Sequence, residues 1–79
     1  MTNNEKYVNA FVEVFSVEPE DVEKLEYQSI IEWDSVGHMS LMAELEDSFD
    51  IMMELEDIIE FANFEKGKEI LGRYDVELE

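Results

Sequence analysis

The stretch Trp33-Asp34-Ser35-Val36-Gly37-His38-Met39 marks the point where a charged segment gives way to a helical apolar pattern. Asp34 is a favoured N-cap residue, so the sequence predicts a helix that begins at Ser35. The first N–H groups of a helix lack partners within the helix, and its N-terminus is electrically positive. An anion on the Ser35 hydroxyl would therefore be stabilised by about 0.3–1 kcal/mol. Ser35 is well placed to carry a phosphate ester.

A simpler interpretation of the same residues stays open. Asp-Ser before a helix is common capping chemistry, and most such serines carry nothing. Gly37 favours a further role, because glycine in the first turn costs up to about 1 kcal/mol relative to alanine. An open surface beside Ser35, with room for a bulky group, is one reason for its presence.

Size and composition indicate a single domain, 1–79. A chain of 79 residues buries only about 60–65% of its unfolded surface, but 46% hydrophobic residues suffice for a small core. There is no cysteine, which excludes disulfides, thiolate catalysis and cysteine-based metal sites. No apolar run approaches the roughly 20 residues of a membrane span, and the N-terminus lacks a secretory signal pattern. We expect a soluble, cytoplasmic monomer.

The net charge of −17 argues against partners that are themselves anionic. Nucleic acid and anionic membrane surfaces would both repel this chain. A protein with a basic surface would be attracted and would associate faster at low salt. The alternative is that the acidic residues serve only solubility.

Apolar periodicity predicts an all-α fold with three main helices, one short helix and a long first loop. The first helix is expected from Glu5 to about Phe15, and a connection follows over 16–34 with one helical turn within it. The later helices are expected at about Ser35–Ser48, Leu55–Phe61 and Phe64–Arg73, with Asn63 as the last N-cap. Gly67 conflicts locally with the last helix, and the tail 75–79 is expected to fray. The residues expected to attach the long connection to the core are Val22, Leu25, Ile30 and Ile31.

The motif and the helix after it resemble the acyl carrier protein family. The resemblance lies in Asp34-Ser35-Val36, followed by Met39, Leu41, Leu45, Glu46, Asp47 and Phe49-Asp50-Ile51, and in the length, acidity and element order of nearly the whole chain. It implies a four-helix bundle with 4'-phosphopantetheine attached to Ser35.

The resemblance also implies how the prosthetic group arrives and is used. A separate phosphopantetheinyl transferase would modify Ser35 with coenzyme A and Mg²⁺, and Asp34 would cap the helix and help to position the ion. Val36 replaces the commoner leucine at the transferase contact. The chain itself would not be an enzyme; it would present acyl or aminoacyl thioesters to loading and using enzymes with basic surfaces.

The resemblance favours Glu46 and Asp47, which belong to an acidic belt, as partner contacts, and further contacts are expected at Gly37 and His38. The belt comprises Glu44, Glu46, Asp47, Asp50, Glu54, Glu56 and Asp57. It contains no D-x-[DN]-x-[DN]-G calcium loop, so no metal site is expected. Four methionines (Met39, Met42, Met52 and Met53) can either fill the core or line an adaptable surface between the second and third helices.

Two other function classes compete with the carrier interpretation. His38 lies three residues after Ser35, but nothing in the sequence orients its ring or builds an oxyanion hole, so hydrolysis is not expected. We expect His38 to be an exposed helix residue. The remaining alternative is an acidic helical adaptor or nucleic-acid mimic without a prosthetic group.

Overall fold

The computed structural model describes residues 2–78, and all of its regular secondary structure is helical. The elements are α1 (Asn3–Phe15), a 3-10 helix (Pro19–Lys24), α2 (Ser35–Phe49), α3 (Leu55–Glu60) and α4 (Phe64–Gly72). The predicted all-α class is confirmed, and the predicted helix ends agree to within one or two residues, the usual uncertainty of helix boundaries.

Helix α1 begins with a reciprocal capping box. The Thr2 hydroxyl accepts a hydrogen bond from the Glu5 N–H (3.1 Å), and the Glu5 carboxylate accepts one from the Thr2 N–H (2.8 Å). The bond from the Thr2 N–H to the carboxylate lowers the pKa of Glu5, and the Thr2 hydroxyl adds to this effect. The helix ends at Ser16, which adopts the left-handed conformation (φ 56°) that terminates many helices.

The largest side chains of the core are aromatic, and six of the buried hydrophobic residues within 2–78 carry an aromatic ring. Tyr7 and Phe11 of α1 pack on Phe64 at the start of α4, with ring centroids 4.7 and 5.6 Å away. The Tyr7 hydroxyl donates to the Phe64 carbonyl (2.7 Å), which satisfies a polar group that is otherwise enclosed by carbon. Burial raises the pKa of Tyr7. Helix α1 and the start of α4 are therefore joined by both stacking and a hydrogen bond.

The connection from Ser16 to Asp34 is held by hydrogen bonds as well as by apolar contacts. Within it, the Tyr27 N–H donates to the Ala62 carbonyl (2.8 Å). Val22 and Leu25 are buried and Ile30 is half-buried, as predicted.

Ile31 was predicted to attach the connection to the core, and that prediction is wrong. Its side chain is 91% exposed. The Trp33 N–H donates to the Ile30 carbonyl (3.1 Å), so Ile31 and Glu32 are the two central residues of a turn. The turn directs Trp33 into the core instead, where it is fully buried.

The tail is more ordered than expected as far as Leu78. Val76 is buried, and its N–H donates to the Leu71 carbonyl (3.2 Å). The Asn3 side chain donates to the Glu77 carbonyl (3.0 Å), which links the two ends of the chain. The expected fraying is wrong for these residues, and Glu79 lies outside the described range.

None of the helices within residues 2–78 combines the length and the apolar character needed to cross a membrane.

Gly67 is required by the packing of α4. A Cβ at this position would lie 2.0 Å from the Tyr7 hydroxyl oxygen and 2.3 Å from the Phe61 ring. Both neighbours are buried aromatic residues with little freedom to move. The conflict between Gly67 and helix propensity is therefore resolved by close packing.

Two glycine substitutions in α4 should have opposite effects on stability. Gly67→Ala should lower the free energy of unfolding by about 1–3 kcal/mol through overpacking. Gly72→Ala should leave it unchanged or raise it by about 0.4–1 kcal/mol, because a Cβ there meets no atom within 4 Å. Urea unfolding followed by circular dichroism measures both. Equal effects would contradict the packing of Gly67.

Candidate functional site

Ser35 is the first residue of α2, and its side chain is exposed. The preceding residue, Asp34, caps the helix by accepting a hydrogen bond from the Gly37 N–H at Oδ1 (2.8 Å). The Ser35 hydroxyl oxygen lies 3.2 Å from the Tyr27 hydroxyl oxygen. The predicted cap is confirmed, and the serine is presented at the positive end of a 15-residue helix.

Gly37 makes room for the preceding loop. A Cβ would lie 1.9 Å from the Glu32 carbonyl oxygen and 3.3 Å from a ring carbon of Phe15. The carbonyl is backbone and cannot rotate away, so any side chain here would displace the loop that leads into Ser35. The glycine therefore serves the close approach of loop and helix, which explains its presence without the need for space beside the serine.

His38 was expected to be exposed, and that prediction is wrong. Its ring is half-buried, with Nδ1 2.9 Å from the Trp33 indole nitrogen and Nε2 2.7 Å from the Ile58 carbonyl oxygen. An indole N–H only donates and a carbonyl only accepts, so Nδ1 is the acceptor and Nε2 carries the proton. His38 is thus a neutral ring that joins the loop, α2 and α3. Both nitrogens are engaged, so the ring does not serve Ser35 as a general base.

An apolar groove lies beside Ser35, between α2 and α3. Its volume is about 350 Å³. The lining residues are Tyr27, Ser35, His38, Met39, Leu55, Ile58, Ile59, Phe61 and Ala62. Leu55 and Ile59 are 69% and 72% exposed although both are apolar. The groove therefore leaves apolar surface uncovered next to the serine.

The four methionines divide between core and surface. Met42 and Met53 are buried in the core, whereas Met39 is 53% exposed and lines the groove. Met52 is 87% exposed and does not line it. Core filling thus accounts for two of the four, and the surface lining for one.

The acidic belt is only partly a free surface. Asp47, Asp50, Glu54 and Glu56 are exposed, as expected. Glu46 is half-buried, and its carboxylate accepts a hydrogen bond from the Met53 N–H (2.8 Å). Glu46 therefore also has a structural role, because it fixes the segment that follows α2. Asp57, the last member of the belt, is buried.

Asp57 belongs to a polar cluster that ties α3 to the end of α4. The Tyr74 hydroxyl and the Arg73 guanidinium both donate hydrogen bonds to its carboxylate. The bond from Tyr74, assisted by Arg73, lowers the pKa of Asp57 despite the opposing effect of burial. The Tyr74 oxygen also accepts from the Glu54 N–H (2.7 Å) at the start of α3. The cluster thus fixes the helix that forms one wall of the groove.

The charges are segregated along the chain. No lysine or arginine lies between Leu25 and Glu65, a range that contains the serine, α2 and α3. Val36, beside the serine, is 75% exposed. The surface around Ser35 therefore combines apolar and acidic side chains. Among residues 2–78, no group of three or more histidine, aspartate or glutamate side chains is arranged to hold a metal ion.

Sequence reasoning did not identify Tyr27, and it indicated a surface between α2 and α3 only through the methionines, of which Met39 lines the groove. Tyr27 is eight residues from Ser35, and no local pattern indicates that a loop brings the two hydroxyls together. The sequence of α3 does indicate exposed apolar surface. A helix of six residues cannot bury an apolar residue on every side, so it cannot enclose Leu55, Ile58 and Ile59 together.

Comparisons with family models, with curated proteins and with solved structures found no match to this chain.

The stability contributed by Asp57 should depend on pH. Its pKa in the folded protein is below the unfolded value of about 3.9, so its contribution is present above that value and is lost as the pH falls through the folded pKa. Asp57→Asn should therefore destabilise the protein at about pH 7, and the difference from the parent protein should shrink at about pH 3.

Urea unfolding at both pH values tests this expectation. Asp47→Asn is the matched control, because Asp47 is exposed and should show a much smaller difference at either pH. If Asp57→Asn lowers the free energy of unfolding by the same amount at both pH values, the assigned role of the carboxylate is contradicted.

Proposed function

We propose that this protein is a discrete acyl carrier protein that bears 4'-phosphopantetheine on Ser35 and is not itself an enzyme. It would present acyl or aminoacyl thioesters to several partner enzymes. The observation that carries the proposal is the exposed Ser35 hydroxyl, at the capped start of α2 and at the edge of an apolar groove.

The arrangement of helices supports the proposal. The carrier family that the sequence resembles has three main helices and one short helix, with a long loop after the first helix. Within residues 2–78 the α-helices have 13, 15, 6 and 9 residues, and the long connection, with its 3-10 helix, lies between the first two. We propose on this basis that the all-α fold is of the carrier-protein type.

The residues around Ser35 fit a phosphodiester-linked arm. The hydroxyl is accessible, the positive helix N-terminus favours an anion, and the Tyr27 hydroxyl is within hydrogen-bonding distance. Asp34 already occupies the Gly37 N–H, so the phosphate would extend outward from the first turn. In the modification, Ser35 Oγ would form a P–O bond to the phosphate that bears pantetheine as the bond to adenosine 3',5'-bisphosphate breaks, and its proton would pass to a base of the transferase.

When bound, 4'-phosphopantetheine would supply a terminal thiol that forms a thioester with the cargo. The chain has no cysteine and so has no thiol of its own. The groove supports an apolar cargo. Its exposed Leu55 and Ile59 side chains would lose contact with water if an acyl chain covered them, at about 25 cal/mol per Å² of apolar surface.

The charge distribution supports partners with basic surfaces. Asp47 is exposed on α2 and is the better of the two predicted acidic contacts to test. A charge-reversing substitution of Glu46 would also break the hydrogen bond to the Met53 N–H. Its effect on partner binding could then not be separated from its effect on folding. We propose Val36, Gly37 and His38 as further contacts, with His38 acting through the groove that it lines.

The acidic adaptor or nucleic-acid mimic is the second candidate. The net charge of −17 and the absence of lysine and arginine from 26–64 favour it. It does not account for the groove beside Ser35 or for the presentation of that hydroxyl.

Intact-protein mass spectrometry should distinguish the two functions. The protein would be incubated with coenzyme A, Mg²⁺ and a broad-specificity phosphopantetheinyl transferase. We expect a mass gain of one phosphopantetheine in the parent protein and none in Ser35→Ala, which should fold normally because Asp34 and not Ser35 provides the cap. Ser40→Ala, a second exposed serine of α2, is the matched control and should be modified like the parent.

Failure of several transferases to modify a folded sample would contradict the carrier function and favour the adaptor. Modification that persists in Ser35→Ala would contradict the assigned site.

A further inference from the structure

Tyr27 is held beside Ser35 by contacts that do not involve the serine. Its N–H donates to the Ala62 carbonyl (2.8 Å), and its ring packs edge-on against His38 with centroids 5.3 Å apart. The ring of His38 is fixed in turn by its own two hydrogen bonds. Backbone and ring therefore place the Tyr27 hydroxyl 3.2 Å from Ser35 Oγ.

The direction of this hydrogen bond is open in the unmodified protein and fixed in the modified one. Two free hydroxyls can each donate or accept. Once Ser35 Oγ is an ester oxygen it has no proton, so it can only accept. The Tyr27 hydroxyl must then be the donor, either to the ester oxygen or to a neighbouring phosphate oxygen.

Few side-chain donors line the groove beside Ser35: of its other lining residues only Tyr27 and His38 have a side-chain O–H or N–H group, and His38 Nε2 is engaged by the Ile58 carbonyl. No lysine or arginine lies between Leu25 and Glu65, and the Asp34 carboxylate can only repel the phosphate or accept hydrogen bonds. A neutral hydroxyl donor satisfies a phosphate oxygen without the desolvation cost of a cationic side chain.

We infer that Tyr27 is a positioning residue for the prosthetic group, whose hydroxyl donates to the phosphodiester on Ser35 and sets the direction in which the arm leaves the protein. The inference rests on the proposed function, because it requires a modified serine. Tyr27 and Ser35 both line the apolar groove, so a phosphodiester held between them starts the arm at the edge of that groove.

The test is the ³¹P NMR spectrum of the modified protein. Tyr27→Phe removes the hydroxyl and keeps the ring against His38. Tyr74→Phe is the matched control, because it removes a hydroxyl that holds Asp57 and the start of α3. We expect the phosphodiester resonance of Tyr27→Phe to move from the parent position by more than its linewidth, while that of Tyr74→Phe stays in place although the protein is less stable.

Coincident resonances in the parent protein and Tyr27→Phe would overturn the inference and leave the carrier function standing. A shift of equal size in Tyr74→Phe would overturn it as well, since the effect would then come from α3. Absence of modification in the parent protein would instead mean that the proposed function has failed.

Discussion

The hydrogen bond from the Trp33 indole N–H to His38 Nδ1 is the interaction on which the rest of the site depends. Trp33 is fully buried and stacks on Phe15 with centroids 5.1 Å apart, so it anchors the end of the long connection in the core. Asp34 and Ser35 follow directly. The position of the serine is therefore set by a buried aromatic residue two positions earlier, and not by the helix alone.

His38 also attaches α3 to this part of the structure. Its Nε2 donates to the Ile58 carbonyl of α3. The last carbonyls of a helix have no partner within the helix, so this bond satisfies one of them. The Asp57 cluster holds the same helix through Arg73 and Tyr74. Because polar contacts attach α3, its apolar Leu55 and Ile59 are not needed for its own packing. They are free to form the wall of the groove next to Ser35.

Local features of the fold could be predicted from the sequence, and features that depend on distant contacts could not. Asp34 and Asn63 cap helices because a side-chain oxygen reaches an N–H three residues away, which is a property of the local sequence. His38 gave no such signal, because its partners are fixed only when the loop and α3 fold against α2. Gly37 is unusual in the first turn of a helix, but the reason for it, the nearby Glu32 carbonyl, lies in a loop whose path the sequence does not specify.

The most direct test of this account is hydrogen exchange at the indole N–H of Trp33, followed by NMR. The chain has one tryptophan, so its indole resonance is identified without further assignment. The account predicts slow exchange, comparable with the amides of the α1 core, because the N–H is buried and bonded to His38. Exchange as fast as in an exposed tryptophan would contradict the anchor, and with it the explanation of how Ser35 and the groove are held in place.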